Sequence, residues 1–177
     1  MRTLIATRCN LEPQVIAHAK EMFVVLSDLA MYEFENAPPL SESWLTERFA
    51  KLESRASGDG TERWLNWVIR LPSGELAGYT QATVQTDGVA YVAYELASKF
   101  WRRGIGSNAV SAMLQELASE YDVHTFLAVL KARNYRSLAL LKHLEFHPGS
   151  PANVPDVSLE PDEVVMHRQA SGGATAA

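Results

Sequence analysis

Apolar residues recur every three or four positions in four segments of the chain, which predicts four helices. The strongest pattern runs from about Gly104 to Glu120. The other segments each follow a residue type that commonly caps helices. The predicted helices are one capped by Asn10 and reaching about Leu26, one from Ser41 to the Ser57–Gly60 turn, Gly104–Glu120 and Asn134–Leu144.

Other segments are rich in β-branched and aromatic residues and predict strands. Turns at Pro72–Glu75 and Thr86–Gly88 are short, so the strands they join should pair antiparallel. Val89–Leu96 and His124–Leu130 flank the long helix, and such a crossover predicts parallel neighbours. The fold class is therefore α/β (mixed α+β), with a mostly antiparallel sheet flanked by helices. The predicted strands are Thr3–Arg8, Trp64–Arg70, Leu76–Gln85, Val89–Leu96, His124–Leu130 and Glu163–His167.

The length of 177 residues fits one domain, which we assign to residues 1–170. The last seven residues, 171–177, are small and offer little to bury, so we expect a disordered tail. Hydrophobic residues make up 47% of the chain and exclude a mainly disordered protein.

The net charge of −5 argues against a partner that is nucleic acid, because such proteins usually carry an excess of basic residues. No stretch approaches the roughly 18 apolar residues of a membrane span, and no signal peptide is evident, so we expect no membrane partner and a cytoplasmic protein. The lone Cys9 is interpreted as a small buried residue. The five histidines show no metal spacing, so we expect no metal.

The most informative segment is Phe100–Ser107, which lies between a strand and the long helix. Its two glycines let the backbone turn tightly, and the helix that follows presents free N–H groups at its positive end. With two adjacent arginines, this loop is suited to a pyrophosphate; a solvated glycine loop is the plainer alternative. Gly104–Ala109 also fits a dinucleotide fingerprint. However, the next strand ends at Lys131 rather than in the acidic residue expected about 20 positions on.

Two motifs in this part of the chain resemble those of the GCN5-related N-acetyltransferase (GNAT) superfamily. Its signature, Arg/Gln-x-x-Gly-x-Gly/Ala, corresponds to Trp101, Gly104 and Gly106, and a tryptophan in the first place resembles the RimJ/RimL-like branch. Its second element, Asn-x-x-Ser followed by Leu and Gly-Phe, corresponds to Asn134–Ser137 and Leu144–Phe146. The predicted element order is also similar to that of the family over about residues 1–168.

The resemblance implies acetyl-CoA as co-substrate. The pyrophosphate would lie on the backbone N–H groups of about 103–107, and the pantetheine arm would pair with the end of Val89–Leu96. That pairing requires a splay between this strand and His124–Leu130. Asn134 and Ser137 would face the thioester, although Asn134 is also a good helix cap. The implied cofactor-binding residues are Leu96, Ala97, Arg102, Arg103, Gly104, Ile105, Gly106, Ser107, Asn134 and Ser137.

The sequence departs from the family at the tyrosine that commonly protonates the thiolate, because Leu141 takes that place. Ser137 and Tyr135 are the hydroxyls left nearby. We predict Ser137 as the catalytic acid, because Asn-x-x-Ser resembles the RimL-like arrangement; a hydroxyl that only caps the helix is the alternative. Glu145 stands in place of the usual glycine and should affect local geometry more than chemistry.

Glu95 is the candidate base, because a carboxylate near the thioester in a partly apolar cleft would have a raised pKa. Strand alternation places it with Tyr91 and Ala93, and a solvated surface carboxylate is the alternative. Glu33 and Glu35 lie in the loop where the family recognises acceptors and could bind a cationic amine, or they could be solvated loop acids. Gln81 is a weaker acceptor-binding candidate.

Two functions follow from these residues. The first is an acetyl-CoA-dependent N-acetyltransferase acting by direct attack in a ternary complex. Its acceptor would be a primary amine: a protein N-terminus, a small amine such as a polyamine or an amino acid, or an aminoglycoside. The net charge of −5 and the acidic loop favour a cationic acceptor among these. The second is a non-catalytic CoA-binding sensor or scaffold of the same fold, suggested by Leu141. The sequence leaves open whether the protein is a monomer or a homodimer.

Overall fold

In the computed structural model, which describes residues 1–149 and 159–170, the chain forms an eight-stranded mixed sheet with helices on both faces. The elements are β1 (Leu4–Ile5), β2 (Asn10–Pro13), α1 (Ala19–Val25), α2 (Glu42–Leu52), β3 (Glu62–Arg70), β4 (Leu76–Gln85), β5 (Val89–Leu96), α3 (Ile105–Glu120), β6 (Thr125–Lys131), α4 (Tyr135–His143), β7 (His147–Pro148) and β8 (Glu163–Gln169). The strand order is β1-β2-β3-β4-β5-β6-β8-β7. Every pair of neighbours is antiparallel except β5 and β6.

The sheet opens where its two parallel strands meet. β5 and β6 pair only between Val89–Tyr91 and Thr125–Leu127, and beyond Tyr91 the two strands separate. Residues 92–96 of β5 therefore have no ladder partner on the β6 side among the described residues, although they remain paired with β4. This confirms the predicted fold class and its central parallel splay.

Alternating residues of the strands supply two hydrophobic cores, one on each face. The larger core packs the buried side of α3, including Ala109, Val110 and Met113, against residues such as Trp67 and Phe126. On the opposite face, Met22 of α1 and Leu45 and Phe49 of α2 pack against Val68. The packing of α2 matters for function, since it brings that helix over the end of β5.

The structure corrects the prediction that Asn10 caps a helix. Asn10–Pro13 is instead strand β2, because pairing with β3 satisfies its backbone and buries Leu11 completely opposite Ile69. The first helix is consequently short: a 3₁₀ turn at Ile16–His18 leads into α1, which ends at Val25.

Other boundaries also differ. The predicted strand Thr3–Arg8 is reduced to the two residues of β1, and Cys9, which lies between β1 and β2, is buried as expected. Strand β7 was missed, because two residues carry no periodicity. By contrast, the predicted bounds of β4 and β5 are correct. The tail at 171–177 lies outside the described residues.

Candidate active site

The loop between β5 and α3 has the backbone needed to hold an anion. Arg102 and Gly104 both have positive φ, of 59° and 73°, and Gly104 is the N-cap of α3. This turn directs the first N–H groups of the 16-residue helix α3 out of its N-terminus, and these groups have no intrahelical acceptor. Arg8, which sequence reasoning missed, lies beside Gly104, and its backbone N–H donates to Asn108 Oδ1 over 2.8 Å.

Trp101 anchors this loop to the end of β5. Its indole Nε1 donates a hydrogen bond to the carbonyl oxygen of Leu96 over 2.6 Å. The guanidinium of Arg136 lies 4.3 Å from the centre of the same indole ring and forms an ion pair with Glu33. The tryptophan thus ties together the loop, the end of β5 and the N-terminus of α4.

A groove of about 780 Å³ runs from this loop to the start of α4, and we call it the loop groove. Eight of the ten predicted cofactor residues line it: Leu96, Arg102, Gly104, Ile105, Gly106, Ser107, Asn134 and Ser137. The other two do not. Ala97 is buried with its N–H bonded to the carbonyl of Ala77, and Arg103 lies over the ring of Phe100.

A second cavity of about 510 Å³ lies between α2 and the open part of the sheet, and we call it the sheet pocket. Tyr32, Trp44, Arg48, Tyr79 and Gln81 contribute to its lining. Five residues line both cavities: Glu35, Asn36, Tyr94, Glu95 and Ser137. The two cavities therefore meet at the splay, next to the predicted base and the predicted acid.

Glu95 lies at this junction on the α2 face of the sheet. Burial raises the pKa of its carboxyl to about 7, against hydrogen bonds from Tyr79 and Asn36 that favour the charged form. The Asn36 contact, from Nδ2 to Glu95 Oε1, is 3.4 Å. β5 continues without a bulge, so Glu95 shares a face with Ala93 and Tyr91, as alternation predicts.

Gly78 allows β4 to approach Glu95 closely. A Cβ atom at this position would lie 2.0 Å from the Glu95 carbonyl oxygen, so only glycine permits this backbone contact. The close approach holds the end of β5 in place beneath the junction.

A chain of hydrogen bonds holds the other side of the junction. Asn134 caps α4 by accepting from the N–H of Ser137 over 3.1 Å, and its Nδ2 donates to Glu35 Oε1 over 3.0 Å. The Tyr94 hydroxyl donates to the Ser137 carbonyl over 3.4 Å. Ser137 is thus held through its backbone N–H and carbonyl, and it lines both cavities.

The three predicted acceptor-binding residues do not lie in one site. Glu35 and Gln81 line the sheet pocket, but Glu33 is exposed, is paired with Arg136 and lines neither cavity. Sequence reasoning missed Tyr94, Tyr79 and Arg48. Strand alternation places Tyr94 on the face of β5 opposite to Glu95. No local sequence pattern indicated that α2 would bring Arg48 over β5.

The two cavities adjoin, and one of them contains a loop suited to phosphate, so the arrangement has room for two ligands side by side. A family model described as "Acetyltransferase (GNAT) domain" matches residues 8–147. The chain therefore belongs to the GNAT acetyltransferase family, which confirms the resemblance based on 101–107 and 134–146. No curated protein sequence matches the chain.

Solved structures share this fold. One is RimL, a ribosomal L7/L12 α-N-protein acetyltransferase in complex with coenzyme A, at 17% identity and a TM-score of 0.76, covering 92% of this chain and 94% of that one. Another is the microcin C7 self-immunity acetyltransferase MccE in complex with acetyl-CoA and AMP, at 16% identity and a TM-score of 0.77, covering 93% of each chain. A third is the ribosomal-protein-S5-alanine acetyltransferase from Vibrio fischeri, at 14% identity and a TM-score of 0.74, covering 94% and 96%.

Within residues 1–149 and 159–170, no helix is long and apolar enough to cross a membrane. These ranges also contain no group of three or more His, Cys, Asp or Glu side chains arranged to hold a metal ion.

Proposed function

We propose that the protein is an acetyl-CoA-dependent N-acetyltransferase that acetylates a primary amine by direct attack in a ternary complex. The observation that carries this proposal is the meeting of the loop groove and the sheet pocket at Glu95 and Ser137. Acetyl-CoA fits the loop groove because the groove combines a left-handed turn, a helix N-terminus and an open strand edge. When bound, it supplies the acetyl group as a thioester.

The loop and the open strand would bind the co-substrate. Backbone N–H groups at 103–107, with Arg102 and Arg8 nearby, would receive the pyrophosphate. Residues 92–96 of β5 would pair with the pantetheine arm, because this stretch has no partner from β6 among the described residues. N–H groups of the same stretch would stabilise negative charge on the acyl oxygen.

Glu95 would act as the general base. The attacking nitrogen forms a bond to the acyl carbon, the carbon–sulfur bond breaks, and the proton lost by the amine passes to the Glu95 carboxylate directly or through water. A carboxyl whose pKa is about 7 is suited to this role near neutral pH.

Ser137 would donate a proton or hydrogen bond to the leaving thiolate. Leu141 occupies the place of the usual tyrosine and is 1% exposed, so α4 offers no acidic group there. Tyr94 acts in this scheme as a positioning residue, since it contacts the Ser137 carbonyl.

The acceptor would enter through the sheet pocket. Within this proposal the acceptor is a small amine or a peptide N-terminus. The ribosomal-protein acetyltransferases that share the fold support a peptide N-terminus. A cytoplasmic location and a monomeric or homodimeric state remain predictions from the sequence.

The test is release of free CoA from acetyl-CoA in the presence of a panel of primary amines, with the N-acetylated product identified by mass spectrometry. We expect turnover with at least one amine class and a loss of about 10²-fold or more in Glu95→Gln, the size typical of general base catalysis. The exposed Glu47→Gln is the matched control and should retain wild-type activity. Tight acetyl-CoA binding with no product from any amine would instead support a non-catalytic CoA-binding module.

A further inference from the structure

The charges in the sheet pocket point to the chemistry of the acceptor. Three charged side chains line this pocket: Glu35, Glu95 and Arg48. Glu35 accepts a hydrogen bond from Asn134. Arg48, by contrast, forms no ion pair with any described residue. Its guanidinium lies 5.7 Å from the centre of the Trp44 ring. The cation of this pocket is therefore available to a ligand.

Arg48 and Glu95 are close enough to influence each other electrostatically. Burial raises the pKa values of both Glu95 and Tyr79. The positive charge of Arg48 opposes this rise at both residues, but its effect is smaller than that of burial. A ligand whose amine lies at Glu95 would thus have its neighbouring atoms within the field of Arg48. Close to Arg48 a negative charge on the ligand would be attracted and a second positive charge repelled, whereas the charge of Glu35 acts on Glu95 in the opposite sense.

Gln14 adds an independent observation. This residue lines the same pocket and is 3% exposed, yet its side-chain Nε2 finds no hydrogen-bond acceptor among the described residues. Its main chain is fully engaged, with the N–H bonded to Asn66 and the carbonyl bonded to Arg55. A buried donor without a partner is costly, so it indicates an acceptor that arrives from outside the protein.

We infer that the acceptor is a small amino acid-like molecule, a primary amine that also carries a carboxylate, with the amine at Glu95 and the carboxylate toward Arg48. This inference rests on the proposed function and narrows its acceptor class. It selects one of the acceptors left open by the sequence and departs from the sequence-based preference for a cationic one, which relied on the net charge and on the loop acids Glu33 and Glu35. Glu33 pairs with Arg136 and lies outside the pocket, whereas Glu35 lines the pocket and accepts a hydrogen bond from Asn134.

The test compares matched acceptors that differ only in the carboxylate: phenylalanine with phenethylamine, and norvaline with butylamine. We expect kcat/KM to be at least tenfold higher for the amino acid in at least one pair. Arg48→Met should reduce the rate for that amino acid at least tenfold and leave the simple amine within about threefold. Arg48→Lys should restore part of the preference.

Lys51→Met is the matched control, because it removes a cation from the same helix at a residue that contacts Trp64 instead of the pocket. It should leave the preference unchanged. Equal or faster turnover of the simple amines would overturn the inference, as would an Arg48→Met variant that slows both members of a pair alike. A clear preference for a tripeptide over the free amino acids would assign the pocket to peptide N-termini and also overturn it.

A binding measurement separates this inference from the proposed function. Phenylalanine and phenethylamine are titrated calorimetrically into protein saturated with CoA. If no amine is turned over, the acetyltransferase proposal is contradicted. The carboxylate inference is tested separately: it requires that phenylalanine bind more tightly than phenethylamine and that Arg48→Met abolish this difference.

Discussion

Trp101 donates its indole hydrogen bond to the carbonyl oxygen of Leu96, joining the phosphate-type loop to the last residue of β5. The family signature usually has Arg or Gln in this place. Here the indole ring also carries the guanidinium of Arg136 on its face. The position and direction of the open strand edge therefore depend on this tryptophan.

Trp101→Phe should raise the KM for acetyl-CoA several-fold, because an aromatic ring remains while the Leu96 carbonyl loses its donor. The free energy of unfolding should fall by about 1 kcal/mol, the usual worth of one hydrogen bond. Steady-state kinetics and denaturant unfolding measure the two effects. Trp64→Phe is the control, since its indole bonds Glu62 away from both cavities. Equal changes of KM in the two variants would contradict the role given to Trp101.

Gly104→Val should weaken acetyl-CoA binding at least tenfold. The residue has φ of 73°, which a β-branched side chain adopts only at a cost of roughly 1–2 kcal/mol, so the turn that presents the N–H groups would shift. Gly74→Val is the matched control, because Gly74 also has a positive φ, of 88°, and has open space around it in the turn between β3 and β4. Both variants should lose similar stability, but only Gly104→Val should lose affinity in calorimetry. Unchanged affinity would refute the phosphate-loop assignment.

The pH dependence of turnover should follow the ionisation of the Glu95 carboxyl. Since the base must be deprotonated, kcat should rise with pH and level off above about 7, the raised pKa of this buried carboxyl. Glu95→Gln should be slow and should lack this inflection between pH 5 and 9. A variant that keeps the wild-type inflection would assign the titration to another group.

The same carboxyl predicts a pH dependence of stability. Its folded pKa, about 7, is above the ordinary value of 4.5, so the folded protein binds this proton more tightly than the unfolded chain does. Stability contributed by this group is present at low pH and is lost as the pH rises from about 4.5 to 7. The Tm of Glu95→Gln relative to wild type should therefore increase across that interval, and the Tm difference for Glu47→Gln should stay flat. A constant difference for Glu95→Gln would contradict the raised pKa.

Ser137 and Tyr94 can be distinguished by removing one hydroxyl at a time. Ser137→Ala should lower kcat about 10²-fold with little change in the KM for acetyl-CoA, as expected for loss of an acid. Tyr94→Phe should lower kcat only a few-fold, because its contact to the Ser137 carbonyl is 3.4 Å long. The reverse order of effects in steady-state kinetics would make Tyr94 the acid.

The parts of the site that follow from local sequence were predictable. The glycine loop, the Asn134 cap and the strand carrying Glu95 all depend on short-range spacing, and each occurs where expected. Strand β2 was missed because its place is decided by pairing with β3, more than 50 residues away in the chain. Arg48 and Gln14 were missed for a similar reason. Arg48 reaches the pocket because α2 packs across the sheet, and Gln14 reaches it because β2 pairs with β3.

The most direct test of the central claim is a crystal structure of the protein with CoA. It should show the pyrophosphate on the backbone N–H groups of 103–107 and the pantetheine paired with residues 92–96. The sulfur should lie within about 3.5 Å of the Ser137 hydroxyl, facing the sheet pocket and Glu95. CoA bound outside the loop groove, or a pantetheine arm that ends away from the junction of the two cavities, would contradict the assignment of this site.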